Sequence, residues 1–224
     1  MMDLDDLVGR VLGTDYFVGS KRNPAAIPAH WVPGQSRLAV VVGPNASGKS
    51  FFRRVVQSVC AHQEPKVECI HLSMEGRTLG FMKSFVYGDE KYQATGLNSI
   101  NVVLGGIRTS RDRHEPHVLV WDEPDLGLSE GAAASVGRAI ADFMADPPQH
   151  LIGAVIVTHR RALVSELVDA DPHYLHLGVE PAPATLRDWL TEPIVARPLD
   201  EIAEESRARF KAIQAILNKR GIKQ

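Results

Sequence analysis

The sequence predicts an α/β fold, a mostly parallel sheet flanked by helices. Short apolar runs at residues 37–42, 118–121 and 151–157 alternate with stretches of helical periodicity, the pattern of strand–helix–strand units. The run at 151–157 is apolar nearly throughout, as a parallel strand covered on both faces must be. The chemically capable residues follow the ends of these runs, which is the edge of an open parallel sheet where ligands bind.

Composition sets the outer bounds. The 224 residues are 44% hydrophobic and 23% charged, the balance of an ordinary soluble globular protein. A chain of this size buries roughly 70% of its unfolded surface and needs no disulfide or metal staple. The formal net charge of −2 supplies no bulk field toward nucleic acid, so such contact would rest on a local patch. Cys60 and Cys69 fall on an expected helix and an expected strand, as reduced core residues of a cytosolic protein do. No apolar run approaches the roughly 20 residues of a membrane span, and the Met1-Met2-Asp3-Leu4-Asp5-Asp6 start is too acidic for a signal peptide. The expected location is cytoplasmic.

Taken in order, residues 1–36 read as irregular, with a short strand at Tyr16-Phe17-Val18 and a Pro-rich loop over 23–34. Residues 37–42 form a strand ended by Gly43-Pro44, and residues 51–60 carry apolar side chains at helical spacing. A second strand spans 67–73, followed by a stretch over 74–93 that reads as a loop with one short helix. Thr95 or Asn98 caps a helix running to Arg108, and a charged loop occupies 109–116. After the strand at 118–121, Ser129 has the right side chain to cap an Ala-rich helix that stops at Pro147-Pro148. The strand at 151–157 leads to another helix reaching about Val168, and residues 174–177 read as a last strand. From Glu180 four prolines interrupt the chain around a short segment at 185–190. A final helix then runs from Leu199 to Arg220, with Ile202, Phe210, Ile213, Ile216 and Leu217 near one face. The expected organisation is a main domain over 1–180 and a C-terminal Pro-rich linker with an amphipathic helix over 181–224.

The chemistry centres on Gly43-Pro44-Asn45-Ala46-Ser47-Gly48-Lys49-Ser50, which fits the phosphate-cradling pattern G-x-x-x-x-G-K-[ST]. It joins a strand end to a helix start, where free N–H groups and the helix dipole favour an anion. Gly48 lets the backbone close round a phosphate, Lys49 reaches the outer phosphates, and Ser50 is placed to hold Mg²⁺. Asp122 ends the strand at 118–121 and suits a metal-binding carboxylate, while Glu123 beside it suits a general base. His159, just past the strand at 151–157, is placed to donate to a phosphate or sense it. Tyr16 offers a ring either to stack on a base or to pack on the core.

These residues carry a resemblance. The 43–50 loop, Leu119-Val120-Trp121-Asp122-Glu123-Pro124, Leu126-Gly127-Leu128-Ser129 and Val157-Thr158-His159 resemble, in order, the Walker A, Walker B, D-loop and switch-histidine motifs of ABC-type ATPases. The Asn-Ala-Ser loop and the Asp-Glu-Pro-Asp string are more similar to the SMC/RecF/OLD-like branch than to transporter subunits. The resemblance spans roughly residues 14–178 and implies a P-loop NTPase sheet with a reduced helical subdomain. It implies ATP and Mg²⁺ as cofactors, nucleotide contacts from residues 43–50 with Phe51 and Tyr16, metal contacts from Ser50 and Asp122, and catalysis by Glu123 and His159. It further implies a homodimer in the ATP state, each protomer completing the other's site through a signature loop. The counterpart here is Ala94-Thr95-Gly96-Leu97-Asn98, where Thr95 and Gly96 match the signature Ser and first Gly.

Several departures shape the expectation. Leu97 stands at the signature's second Gly, Asn98 at its Gln, and Ser129 at the D-loop Asp. The path from Lys49 to Thr95 is too short for the usual helical subdomain, and the Q-loop residue stays open among Ser73, Glu75 and Gln93. No stretch sustains heptads for a coiled-coil arm. Three functions remain open at this point. The first is an ATPase whose dimerisation drives a partner protein or a nucleic-acid process such as repair or defence. The second is a low-turnover nucleotide-gated switch, and the third a transporter ATP-binding subunit. Basic residues at Lys21-Arg22, Arg108, Arg111, Arg113, Arg160-Arg161 and the tail Lys219-Arg220 with Lys223 read either as solvated charge or as a nucleic-acid patch.

Overall fold

The computed structural model describes residues 2–19, 25–73 and 95–219. The stretch expected as a loop with a short helix over 74–93, the candidates Glu75 and Gln93, and Lys21, Arg22, Arg220 and Lys223 lie outside these. Six strands form one sheet: β1 (Ala29–Val32), β2 (Leu38–Val42), β3 (Glu68–Ser73), β4 (His117–Asp122), β5 (Leu151–Val157) and β6 (His173–Leu177). Their order is β1-β6-β2-β5-β4-β3. All neighbours are parallel except β1, which runs antiparallel along β6 with Trp31 opposite Leu175. The α/β class with a mostly parallel sheet is as expected.

Every residue of β2, β4, β5 and β6 is buried. Successive side chains alternate between the sheet's faces, so each strand feeds two cores. On one face Leu38, Val40, Leu119, Trp121 and Ile156 meet α3 (Thr95–Arg111), α4 (Glu130–Ala145), α5 (Arg161–Ser165) and α6 (Leu186–Thr191). On the other, Ala39, Val41, Val120, Val155 and Leu175 meet α1 (Leu4–Leu12), α2 (Lys49–Ala61) and α7 (Leu199–Lys219). The result is a sheet between two helical layers.

Several boundaries differ from expectation. Residues 2–19 are not irregular, because Leu4, Leu7, Val8 and Val11 recur at helical spacing and bury one stripe of α1, with Asp3 capping its start. Tyr16-Phe17-Val18 is a turn rather than a strand, closed by N–H bonds from Phe17 and Val18 to Thr14 O. β1 sits inside the stretch expected as a Pro-rich loop. Helix α3 continues to Arg111, so the charged loop begins later. The helix expected after His159 is split into α5 and a 3₁₀ turn, Val168–Ala170. Ser129 caps α4 as expected, accepting from Ala132 N–H.

The C-terminal segment packs on the same two cores as the rest of the chain. Trp189 of α6 is buried in the first and Ile213 of α7 in the second, with Ala212, Ile216 and Leu217 packed beside it. Phe210 is exposed, outside the buried stripe in which its spacing placed it.

Candidate functional site

The parallel sheet sends the carboxyl ends of β2, β4, β5 and β6 to one edge. The 43–50 loop leaves β2, Asp122 and Glu123 end β4, His159 follows β5, and Gly178 follows β6. Alignment of Val41 with Val157, and of Asp122 with Val157, sets three of these ends level. The loop is the centre of the edge.

Its backbone curls through the left-handed region three times, at Gly43 (φ 146°), Ala46 (φ 62°) and Gly48 (φ 99°). Turns of this kind direct successive N–H groups into a concavity that suits an anion. Gly48 is the N-cap of α2 and supplies no side chain, so the first N–H groups of that 13-residue helix have no cap. A side chain at Gly43 would run into Leu177 O, and one at Gly48 into Ile27, so both positions require glycine. Lys49 is buried and donates from Nζ to Gly43 O at 2.9 Å and Pro44 O at 2.8 Å. Burial lowers its pKa, against the opposing pull of Glu123 and Asp122. Ser47 Oγ is buried without a partner among the described residues.

The carboxylates take different roles. Asp122 is buried and lies 3.1 Å from Arg53 Nε, one helical turn beyond Lys49 on α2. Arg53 also meets the His71 ring from β3, whose pKa falls to about 4 through burial and that guanidinium. Glu123 has φ 51°, a conformation costly for a residue with a Cβ, and half-exposes its carboxylate. His159 Nδ1 stands 3.6 Å from Glu123 Oε1, so the two expected catalytic groups face each other. Beyond them Asp125 is clamped, accepting from Thr158 Oγ1 at 3.0 Å and Arg160 Nε at 3.1 Å. This clamp fixes the turn between β4 and α4 against the end of β5.

Ser50 is exposed at the start of α2. Tyr16 is buried edge-on against Phe51, ring centroids 4.7 Å apart, which is the packing that the core alternative describes. Thr95 and Gly96 contact the turn after Asp122: a side chain at Gly127 would meet Thr95 Cγ2, and one at Gly96 would meet Gly127 O and Leu128. Ser99 Oγ pins the same turn by donating to Leu126 O at 2.6 Å. Among the basic residues, Arg160 pairs with Asp125 and Glu130, Arg113 with Glu68, Arg161 lies over Trp189 and Arg111 over Phe143.

Four site residues escape the motif reading. Arg53 had a signal, its i+4 spacing from Lys49 on one helix face. Asp125 stands inside the Asp-Glu-Pro-Asp string. His176, 3% exposed with a pKa lowered to about 4 by burial, had none beyond its place in a strand. Arg209 of α7 is distant in sequence, yet it donates from Nη2 to Gly178 O at 3.0 Å. A cavity of about 1000 Å³ adjoins the loop, lined by Gly43, Pro44, His159 and His176 and, from the C-terminal segment, Ile194 and Arg197.

Among the described residues no three His, Cys, Asp or Glu side chains cluster to hold an ion alone. Ser50 is exposed, whereas Asp122 is buried against Arg53. No helix among the described residues is long and apolar enough to cross a membrane. No protein-family model matches the chain.

Proposed function

We propose that the protein is an ATPase of the ABC type, of the SMC/RecF/OLD-like branch, hydrolysing ATP to ADP and phosphate with Mg²⁺. The observation that carries the reading is the meeting of Lys49, Asp122, Glu123 and His159 at one sheet edge, around the left-handed turns of the 43–50 loop. Lys49 exchanges the carbonyls of Gly43 and Pro44 for phosphate oxygens, and the uncapped start of α2 adds its dipole. Ser50 and Asp122 would hold Mg²⁺, which when bound would neutralise charge on the phosphates. Glu123 takes the proton of the water that attacks the γ-phosphorus, and the bond to ADP breaks as the new P–O bond forms. His159, whose Nδ1 faces Glu123, donates to the γ-phosphate. Cis pairing of Thr95-Gly96 with Gly127 presents both on one surface, where a second protomer in the ATP state would meet them. A partner protein or nucleic acid would read that dimer.

The test is Glu123→Gln. It is expected to keep ATP affinity, accumulate dimer by light scattering, and lower turnover roughly a hundred- to ten-thousand-fold. Turnover equal to wild type would remove Glu123 from the base role. A low-turnover switch is the second reading, favoured by Ser129, whose hydroxyl is used as a helix cap where the resemblance has an aspartate. Steady hydrolysis by the isolated protein, far above a Lys49→Ala background, would exclude it.

A further inference from the structure

The C-terminal helix brings a cation to the phosphate loop. Arg209 lies on the buried stripe of α7, one turn before Ile213, which anchors the helix in the core beneath α2. Its guanidinium turns toward the strand ends. Nη2 donates to Gly178 O, whereas Nη1 is buried with no hydrogen-bond partner among the described residues. Gly178 is itself fixed, its N–H donating to Pro28 O at 2.8 Å.

The surroundings of Gly178 show how close the two parts come. The point where a side chain would start at Gly178 falls against Arg209 Nη1 and lies 2.6 Å from Ser47 Cβ. Only a glycine, at φ 86°, leaves room for the guanidinium to sit against the loop. Ser47 Oγ is likewise buried and without a partner among the described residues. Two donors with open valences therefore converge on one flank of the loop. Arg209 is close enough to depress the Lys49 pKa, and burial holds its own pKa below the ordinary value. A half-buried guanidinium beside a buried ammonium is an arrangement that an anion relieves. Glu205, one turn earlier on α7, is committed to Arg197 in a bidentate pair, which leaves Arg209 Nη1 to another acceptor.

We propose that Arg209 is a phosphate-binding residue of the nucleotide site, supplied in cis by the C-terminal helix. Nη1 and Ser47 Oγ, both closed to solvent in the ligand-free chain, are uncovered as the loop adjusts to nucleotide and donate to the phosphate chain, while Nη2 keeps its bond to Gly178 O. The inference rests on the reading of the 43–50 loop as a nucleotide site and adds two consequences to it. The C-terminal segment belongs to the site rather than serving as an appendage, and nucleotide binding tightens the docking of α7.

The experiment is calorimetric titration of the full chain with Mg·ATP and Mg·ADP, for wild type, Arg209→Gln, Arg209→Lys and Lys49→Ala. Arg209→Gln is expected to lose about ten- to a hundredfold in affinity for both nucleotides, the scale of one charge-assisted bond. Arg209→Lys should recover part of it, with the melting temperature of nucleotide-free protein close to wild type in both. Hydrogen exchange on the wild type should show α7 amides slowed by ATP, a readout that needs no variant. Unchanged affinity in Arg209→Gln, or α7 exchange indifferent to ATP, overturns the role of Arg209 while binding lost in Lys49→Ala keeps the loop assignment. Equal affinity losses in both Arg209 variants that track a fall in nucleotide-free melting temperature would make the residue structural. A wild type that binds neither nucleotide overturns the loop assignment and this inference together.

Discussion

Arg53 Nε lies 3.1 Å from Asp122 Oδ2, tying the helix that begins at Lys49 to the acid that ends β4. Both side chains are almost fully buried, so the pair is held in a medium where an unmatched charge is expensive. It sets the distance between the loop's helix and the neighbouring strand. Arg53→Ala should therefore cost about 3 kcal/mol of stability by taking away the guanidinium that faces the buried Asp122 carboxylate. Urea denaturation measures this directly. A loss under half of that would mean that water or another cation replaces the guanidinium.

The loop stores a smaller strain. Ala46 sits at φ 62°, where an L-residue with a Cβ loses roughly 1–2 kcal/mol relative to the right-handed region. Ala46→Gly removes that penalty and returns part of it as unfolded-chain entropy. The expected net gain is about 0.5–1 kcal/mol, a rise of a few degrees in melting temperature by scanning calorimetry. A drop in melting temperature would show that the Ala46 methyl group makes packing contacts worth more than the strain.

Asp125 holds the turn between β4 and α4 by accepting from both Thr158 and Arg160. Asp125→Ala leaves a buried hydroxyl and a guanidinium without their shared acceptor. A loss of about 3 kcal/mol is expected, together with faster hydrogen exchange through residues 125–129. Destabilisation without a change in exchange there would place the effect elsewhere in the fold.

Two histidines make stability depend on pH. His71 and His176 each have a folded pKa near 4, set chiefly by burial, against about 6.5 in the unfolded chain. Between those values the unfolded chain binds more protons than the folded one, so stability rises with pH. The contribution is complete above pH 6.5 and is lost as pH falls toward 4, at most about 3 kcal/mol for each residue. Urea midpoints at pH 7.5 and pH 5 should differ in that direction, and His176→Gln should flatten the slope. An equal slope in the variant would assign the acid sensitivity to other groups.

The fold class was legible because burial on both faces forces continuous apolar strands, and β4 and β5 have little other reading. Helix α1 escaped a motif-led reading although its 4, 7, 8, 11 spacing was present. Tyr16-Phe17-Val18 looked like a strand because β-branched and aromatic residues suit both a pleated surface and a packed turn.

The sequence by itself determined the candidate residues: the glycine-rich loop with Lys49, the acids at 122 and 123, and His159. Their order along the chain is local information, written by turn residues and apolar periodicity. Only the tertiary structure decided what those groups face. Strand order places β5 between β2 and β4, and the pairing of β4 with β5 brings His159 within 3.6 Å of Glu123. Packing of α2 on the sheet hands Asp122 to Arg53, and packing of α7 carries Arg209 to Gly178. Such contacts arise from burying shared apolar faces, and no spacing rule along one chain encodes the distance between two faces.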